Sequence, residues 1–157
     1  MIRKFKFEDE IYQSLSCLPM AARRKLDALG IKIGLAQWEQ LGRGERLMIC
    51  HAPSNSEEER EALRIFIEEA TLARTGTAPK TLPDAVRQSA NPPTQLPDLL
   101  ARNARATGLN LDDAAWSSMD DDQRYALMKL GDTEKPSHNF AAALTEFLPA
   151  KTAVSDR

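Results

Sequence analysis

The sequence predicts an all-α protein built from two diverged copies of one helical unit. Apolar residues recur at intervals of three and four along most of the chain, and strand-like alternation is confined to a few residues. A proline-rich stretch divides the chain, and the segments on its two sides resemble each other. With 157 residues, of which 42% are hydrophobic and 28% charged, the chain has a globular composition and enough length to bury a core.

The internal repeat becomes visible when the sequence is shifted by 78 residues, which aligns 18–49 with 96–127 without a gap. Eight of the 32 aligned positions are identical, whereas ordinary composition gives roughly two. The identical pairs are Leu18/Leu96, Pro19/Pro97, Arg24/Arg102, Ala28/Ala106, Gly30/Gly108, Ala36/Ala114, Trp38/Trp116 and Arg46/Arg124. We therefore predict one helical domain with pseudo-repeats at 8–74 and 96–149, a connector at 75–97 and a flexible tail at 150–157.

A helix is predicted to open each copy directly after a leucine-proline pair. Pro19 and Pro97 suit the first helical position, N1, because the amide hydrogen that proline lacks has no partner there. Gly30 and Gly108 stand where a residue in left-handed conformation commonly ends a helix. The spacing thus predicts one helix between each proline and the following glycine.

Short alternating segments follow the two glycines at 31–33 and 109–111, and predict an extended crossing with its apolar side chains facing inward. Two further helices are expected after each crossing. In the second copy, Asp112 and Asp120 suit the N-cap positions of these helices, because their carboxylates can accept hydrogen bonds from the first amides. The sequence therefore predicts a helix–crossing–helix–helix unit.

A longer helix is predicted in the first half, where Ser56 and Glu59 form a capping box. Its apolar stripe ends near Gly76. Its counterpart in the second half is expected to begin at Ser137, and a short leading helix is expected over 8–15.

The stretch 75–97 contains five of the nine prolines of the chain. Proline lacks an amide hydrogen and disfavours helical geometry in the residue before it, so this stretch cannot be one regular element. We interpret it as a linker or surface loop between the two copies.

The recurring aromatic and basic residues are predicted to be structural. Trp38 and Trp116 are expected to pack in the core of their own copies, because a scaffold residue must recur and a ligand site need not. Arg46 and Arg124 lie eight residues further on, and are expected to stack on the tryptophans or to bond helix-end carbonyls. A binding platform is the disfavoured alternative.

Catalytic and metal sites are not indicated by the sequence. Cys17 and Cys50 lack a nearby cysteine partner, and only His51 and His138 could add imidazole ligands. Nothing resembles a nucleophile motif or a phosphate-binding loop. We predict no catalytic residues, no metal and no cofactor. The lone cysteines, together with the lack of a signal peptide or membrane span, lead us to expect a cytoplasmic protein.

A basic cluster is the best candidate for partner binding. It comprises Arg23, Arg24, Lys25 and Lys32. The second copy keeps only Arg102, which suggests that the fold does not need the flanking charges. We predict that the cluster forms one basic face that contacts a partner.

The chain resembles the nitrate reductase-associated protein family, small bacterial proteins linked to assimilatory nitrate reductase and best known from cyanobacteria. In the N-terminal half the resemblance is carried by Phe7-Glu8, Leu15-x-Cys17-Leu18-Pro19-Met20-x-x-Arg23-x-Lys25-Leu26-Asp27-x-x-Gly30-Ile31-Lys32, Trp38 and Arg46. In the C-terminal half it is carried by Trp116, Arg124, Lys129-Leu130, His138-Asn139-Phe140, Leu144 and Phe147. The segment 131–136 before the histidine departs from the pattern. The resemblance implies a non-catalytic maturation factor with nitrate reductase as its partner.

Two other functions remain open. Recurring helix–break–helix units would suit a helix-turn-helix regulator of nitrate genes. No candidate recognition helix is rich in Arg, Lys, Asn and Gln, however, and the net charge of −2 does not favour nucleic acid. The two thiols leave handling of a cofactor or metal cargo as a third hypothesis. No membrane association is expected.

Overall fold

The fold is helical, as predicted. The computed structural model describes residues 2–149, which form ten α-helices, one 3₁₀ turn and one two-stranded sheet. The chain divides into two compact units between Ala90 and Asn91, which we call unit 1 and unit 2 in chain order. Across residues 2–149, none of the helices combines the length and the apolar character that a membrane span requires. The predicted flexible tail, 150–157, lies outside the described residues.

Unit 1 holds six of the helices and both strands. In chain order its elements are a 3₁₀ turn (Lys6–Glu8), α1 (Asp9–Ser14), α2 (Met20–Leu29), β1 (Ile31–Lys32), α3 (Leu35–Gln40), α4 (Arg43–His51), α5 (Glu57–Thr75), β2 (Lys80–Thr81) and α6 (Asp84–Gln88). Helix α2 packs against α4 and α6, and α5 packs against α3 and α4. The leading helix and the end of α5 before Gly76 lie where the sequence predicts them.

Unit 2 holds four helices. They are α7 (Asp98–Ala106), α8 (Asp113–Ser118), α9 (Asp121–Gly131) and α10 (Phe140–Phe147). Helix α9 packs against both α7 and α10. The last helix begins three residues after the predicted Ser137, because the Ser137 carbonyl first accepts a turn hydrogen bond from the Phe140 amide at 3.0 Å.

The predicted N-caps are confirmed. The Ser56 hydroxyl accepts from the Glu59 amide at 3.1 Å, and the Glu59 carboxylate accepts from the Ser56 amide at 3.0 Å. The carboxylates of Asp112 and Asp120 accept from amides three residues further on, at 2.8 and 2.9 Å. These bonds satisfy amides that the helices themselves leave without partners.

The two helix-opening prolines lie one position earlier than predicted. Pro19 and Pro97 are the N-caps of α2 and α7, with extended ψ angles of 154° and 141°, rather than their N1 residues. Each contributes a carbonyl to the first helical hydrogen bond, at 2.9 Å to Arg23 and 3.0 Å to Ala101. An N-cap proline loses no hydrogen bond either, so the physical reason for proline at the helix start remains.

Gly30 and Gly108 both have positive φ angles, 77° and 86°, as predicted for residues that end helices. The segment 31–33 is extended and buries both of its isoleucines. It also pairs with a second strand, since Ile31 lies opposite Thr81 in an antiparallel register. The segment 109–111 is not assigned to a strand, although Leu111 is buried.

The connector is more ordered than the predicted linker. Strand β2 and helix α6 both lie within 75–97, and the Leu82 amide donates to the Gly30 carbonyl at 2.8 Å. The side chain of Arg87 on α6 lies against Gly30, where a Cβ atom would come within 2.8 Å of the Arg87 Cδ. The connector therefore closes over the end of α2, where the positive φ angle of Gly30 favours glycine.

The core of unit 1 surrounds Trp38, whose side chain is fully buried. Its neighbours come from every helix between α2 and α5 and from both isoleucines of 31–33. The buried members of this cluster are Leu15, Ala22, Leu26, Leu29, Ile31, Ile33, Trp38, Leu41, Ile49, Cys50, Leu63, Ile67 and Ala70. In unit 2, Trp116 is buried to the same degree.

Candidate functional site

The four side chains of the predicted basic cluster, three on α2 and Lys32 on β1, differ in their contacts. Consecutive helical residues point about 100° apart, and the structure uses two of the four side chains internally. The Arg24 Nε donates to the Ala90 carbonyl at 2.7 Å, next to the boundary of unit 1. The Lys25 Nζ donates to the carbonyls of Ile49, Cys50 and Ala52 at 3.1, 2.8 and 2.8 Å.

Lys25 therefore caps the C-terminal end of α4, where carbonyls lack helical partners and the helix dipole favours a positive charge. Burial lowers the pKa of Lys25, and a negative charge on Cys50 would raise it. In the other direction, burial raises the pKa of the Cys50 thiol to about 11, although Lys25 opposes this shift. Cys50 thus stays a neutral thiol and an apolar part of the core.

Asn103, which lies 78 residues after Lys25, has a similar contact. Its Nδ2 donates to the carbonyls of Gly131 and Thr133 at 2.7 and 2.8 Å, at the end of α9. The comparison of Lys25 with Asn103 shows that the recurring feature is a hydrogen-bond donor, whether charged or not. An ammonium group donates to the helix-end carbonyls in unit 1, and an uncharged amide does so in unit 2.

Arg23 and Lys32 are the two members of the basic cluster with exposed side chains. Arg23 lies on α2, and Lys32 lies on β1 with Lys80 opposite it. They are the part of the predicted cluster whose charge faces solvent.

Each tryptophan–arginine pair has the same internal geometry. The Arg46 Nε donates to the Trp38 carbonyl at 3.1 Å, and the Arg124 Nε donates to the Trp116 carbonyl at 3.0 Å. The guanidinium carbons lie 5.9 and 6.0 Å from the centres of the tryptophan rings. Both predicted roles of the arginines, stacking on the indole and bonding a helix-end carbonyl, are found together.

The indole nitrogens also have corresponding partners. The Trp38 Nε1 donates to the Leu15 carbonyl at 2.8 Å, and the Trp116 Nε1 donates to the Pro93 carbonyl at 3.2 Å. Residues 15 and 93 are again 78 apart. A buried indole N–H needs such a partner, so these bonds tie the segment before each first helix to the core.

A buried carboxylate, which the sequence analysis missed, joins the N-terminal segment to α2. Glu8 is only 3% exposed. Its Oε2 accepts from the Met20 amide at the start of α2 at 2.8 Å, and its Oε1 accepts from the Tyr12 hydroxyl at 2.9 Å. Burial and the Glu8 charge raise the pKa of Tyr12 above its usual range, so Tyr12 remains a hydrogen-bond donor. The sequence signal for this contact is only Glu8 itself, an acidic residue twelve positions before a helix start.

The cysteine and histidine side chains, which are the soft metal ligands of the sequence, differ in their exposure to solvent. Cys50 is buried, Cys17 is half-buried, and His51 and His138 are exposed. Burial and the nearby Glu8 charge raise the pKa of Cys17. Within residues 2–149, the structure contains no group of three or more His, Cys, Asp or Glu side chains arranged to hold a metal ion.

Unit 2 contains an open groove of about 610 Å³ that the sequence analysis did not predict. It lies between the segment from Leu109 to Asp112, helix α8 and the end of α10 near Leu148. The Asp112 carboxylate on its wall already caps α8. The groove is mainly apolar and offers hydroxyl and amide groups rather than paired titratable groups.

These features define a helical protein of two compact units in which the recurring aromatic and basic residues are parts of the scaffold. A model of the conserved nitrate reductase-associated protein family matches residues 4–147, and the chain belongs to this family. No curated protein and no solved structure matched the chain.

Proposed function

We propose that this protein is a non-catalytic accessory factor that binds assimilatory nitrate reductase and supports its maturation in the cytoplasm. The observation that carries the proposal is the family match over residues 4–147, since that family is associated with nitrate reductase. The structure adds indirect support, because the buried Glu8 and the half-buried Lys25 bond the ends of helices within unit 1. These side chains therefore have structural contacts, which fits a role other than catalysis.

Within this proposal, the exposed charges of Arg23 and Lys32 contribute to binding of the partner. Their side chains are exposed, whereas Arg24 and Lys25 have partners within unit 1. Exposed charges of one sign steer association with a partner of the opposite sign. We assign these two residues to contact with an acidic surface of the reductase.

We also propose that units 1 and 2 arose from one helical unit. Three pairs of helices start 78 residues apart, namely α2/α7, α3/α8 and α4/α9. The tryptophan–arginine contacts and the carbonyls bonded by the indoles have the same offset. Duplication is the simplest source of so many corresponding contacts.

Co-purification and genetic complementation test the function. A tagged chain isolated from cells growing on nitrate should bring nitrate reductase with it, and deletion of the gene should lower reductase activity. A deletion strain with full reductase activity would overturn the accessory role.

The charge assignment has its own matched control. The double variant Arg23→Glu/Lys32→Glu should restore less reductase activity to the deletion strain than Arg105→Glu/Lys135→Glu, which changes the charge equally at exposed residues of unit 2. Equal complementation by the two double variants would remove Arg23 and Lys32 from the binding surface.

A further inference from the structure

Helix α4 carries an uncovered apolar stripe on its solvent side. Leu47 and Met48 are 37% and 52% exposed. Gly44 and His51, one turn before and one turn after them, are also exposed. The spacing of 44, 47, 48 and 51 places all four residues on one side of the helix. We call this set of four residues the α4 face.

The opposite side of the same helix already supplies the core of unit 1. Ile49 and Cys50 are buried there, and Lys25 caps the helix end. The exposed parts of Leu47 and Met48 therefore lie on the side of α4 that faces away from this core. The residues 78 positions later, Tyr125 and Ala126 on α9, are fully buried. The same side of the corresponding helix is thus a packing surface in unit 2, while unit 1 leaves it uncovered.

Gly44, the second residue of α4, leaves open space on the α4 face. Glycine inside a helix is less favourable than alanine, and a Cβ atom at Gly44 would meet no described heavy atom within 4 Å. Packing within the chain therefore does not require glycine. The missing side chain leaves a notch beside Leu47 and Met48 that allows a second helix to lie close to α4.

Positive charges flank the α4 face at both ends. Arg43, at the first position of α4, has an exposed side chain. At the other end, burial lowers the pKa of His51, and the nearby charges of Lys4 and Lys25 lower it further. The acidic residue of α4, Glu45, is paired elsewhere, since its Oε1 accepts from the Gly42 amide at 2.7 Å and from Arg74 at 3.0 Å.

From this combination we propose that the α4 face docks an amphipathic helix of the partner protein, with Asp or Glu residues on either side of its apolar stripe. Leu47 and Met48 contact the apolar stripe, and the flexible Met48 side chain adapts to its shape. Arg43 and Lys4 face the acidic residues of the partner helix. This inference rests on the proposed accessory function, because it names the surface through which the reductase is bound.

The test measures the binding of the purified full chain to purified nitrate reductase by titration calorimetry. Met48→Asp should weaken binding by at least about tenfold, because it puts a carboxylate into an apolar and acidic contact. The matched control is Ile65→Asp on α5, where the replaced side chain is 46% exposed and so similarly accessible. This control should change the dissociation constant by less than about twofold.

Gly44→Leu provides a second variant that does not depend on charge. It should leave thermal unfolding of the free chain unchanged or shifted upward, because the space is open and leucine favours helix. It should nevertheless weaken binding, because leucine fills the notch. Arg43→Glu should weaken binding at low salt more than at high salt.

The outcomes separate this inference from the function on which it rests. If the wild-type chain does not bind the reductase, both are wrong. If the wild-type chain binds and Met48→Asp and Gly44→Leu bind equally well, the accessory function stands and the α4 face is not its surface. If the wild-type chain alone forms a dimer that Met48→Asp converts to a monomer, the face docks a second copy and the proposal is overturned.

Discussion

The Arg46 guanidinium lies 5.9 Å from the centre of the Trp38 ring, and its Nη1 donates to the same Leu15 carbonyl that accepts from the indole nitrogen. One carbonyl thus joins the segment before α2 to both side chains. Arg124 also stacks on Trp116 and donates to its carbonyl, but its Nη1 donates to the Asp121 carboxylate and not to the carbonyl that the indole bonds. The tryptophan and arginine side chains therefore form one structural unit, and both are occupied by contacts within the chain.

Removal of Arg46 should destabilise the protein. Arg46→Ala leaves the carbonyls of Leu15, Trp38 and Glu39 without this donor, so we expect the free energy of unfolding to fall by about 1–3 kcal/mol in a urea titration. Arg46→Lys should recover only part of the loss, because an ammonium group cannot reproduce the planar fork. Arg43→Ala, an exposed arginine on the same helix, is the control. An equally small effect for both alanine variants would contradict the structural role.

Glu8 should matter for stability more than other acidic residues near the N-terminus. Glu8→Ala removes the acceptor for the Met20 amide and for the Tyr12 hydroxyl, and we expect a loss of about 1–3 kcal/mol. Glu8→Gln keeps an acceptor oxygen and should cost less. Glu10→Ala changes an exposed residue of α1 and should stay within about 0.5 kcal/mol of wild type. Thermal unfolding of the four proteins decides the matter, and coincident curves for Glu8→Ala and Glu10→Ala would refute the prediction.

The sequence reveals those parts of the structure that depend on neighbours along the chain. The capping box at Ser56, the N-cap at Asp112 and the left-handed glycine at position 30 all follow from local chemistry, and all are confirmed. The helical class follows from the spacing of apolar residues. The recurrence of Trp38 and Trp116 in the two aligned segments predicts that both lie in the core, and both are buried.

The parts that sequence analysis missed depend on contacts between distant residues. Strand β2 has two exposed residues and no alternation, so only its pairing with β1 makes it a strand. Lys25 looks like one of three adjacent surface charges, yet its stem reaches the end of α4, some 25 residues away in sequence. Burial of Glu8 likewise depends on where α2 begins. No local pattern encodes these distances.

Gly131 should be far less tolerant of substitution than Gly44. A Cβ atom on Gly131 would overlap the ring of Phe140, at the place where the end of α9 meets α10. We expect Gly131→Ala to lower stability by about 1–3 kcal/mol, because the buried ring must move. Gly44→Ala meets open space and should raise stability by up to about 1 kcal/mol through helix propensity. The urea midpoints of the two variants should move in opposite directions. A shift of both midpoints in the same direction would contradict the prediction.

Stability at high pH should depend on Cys50. Burial raises the pKa of this thiol from 9.0 to about 11 in the folded protein. Between these values the unfolded chain loses the proton and the folded chain keeps it, so ionisation favours unfolding. The contribution of Cys50 is therefore fully present below about pH 9 and disappears as the pH rises toward about 11, a loss of about 1–3 kcal/mol.

Cys50→Ala isolates this contribution from other groups that titrate in the same range. Tyr12 acts in the same direction and Lys25 in the opposite one, but both remain in the variant. Alanine also leaves a cavity, which lowers stability at every pH without changing its slope. Urea titrations at several values between pH 8 and pH 11 should therefore show a steeper fall for wild type than for Cys50→Ala. Parallel curves would mean that Cys50 ionises as readily in the folded protein as in the unfolded chain, and would contradict the prediction.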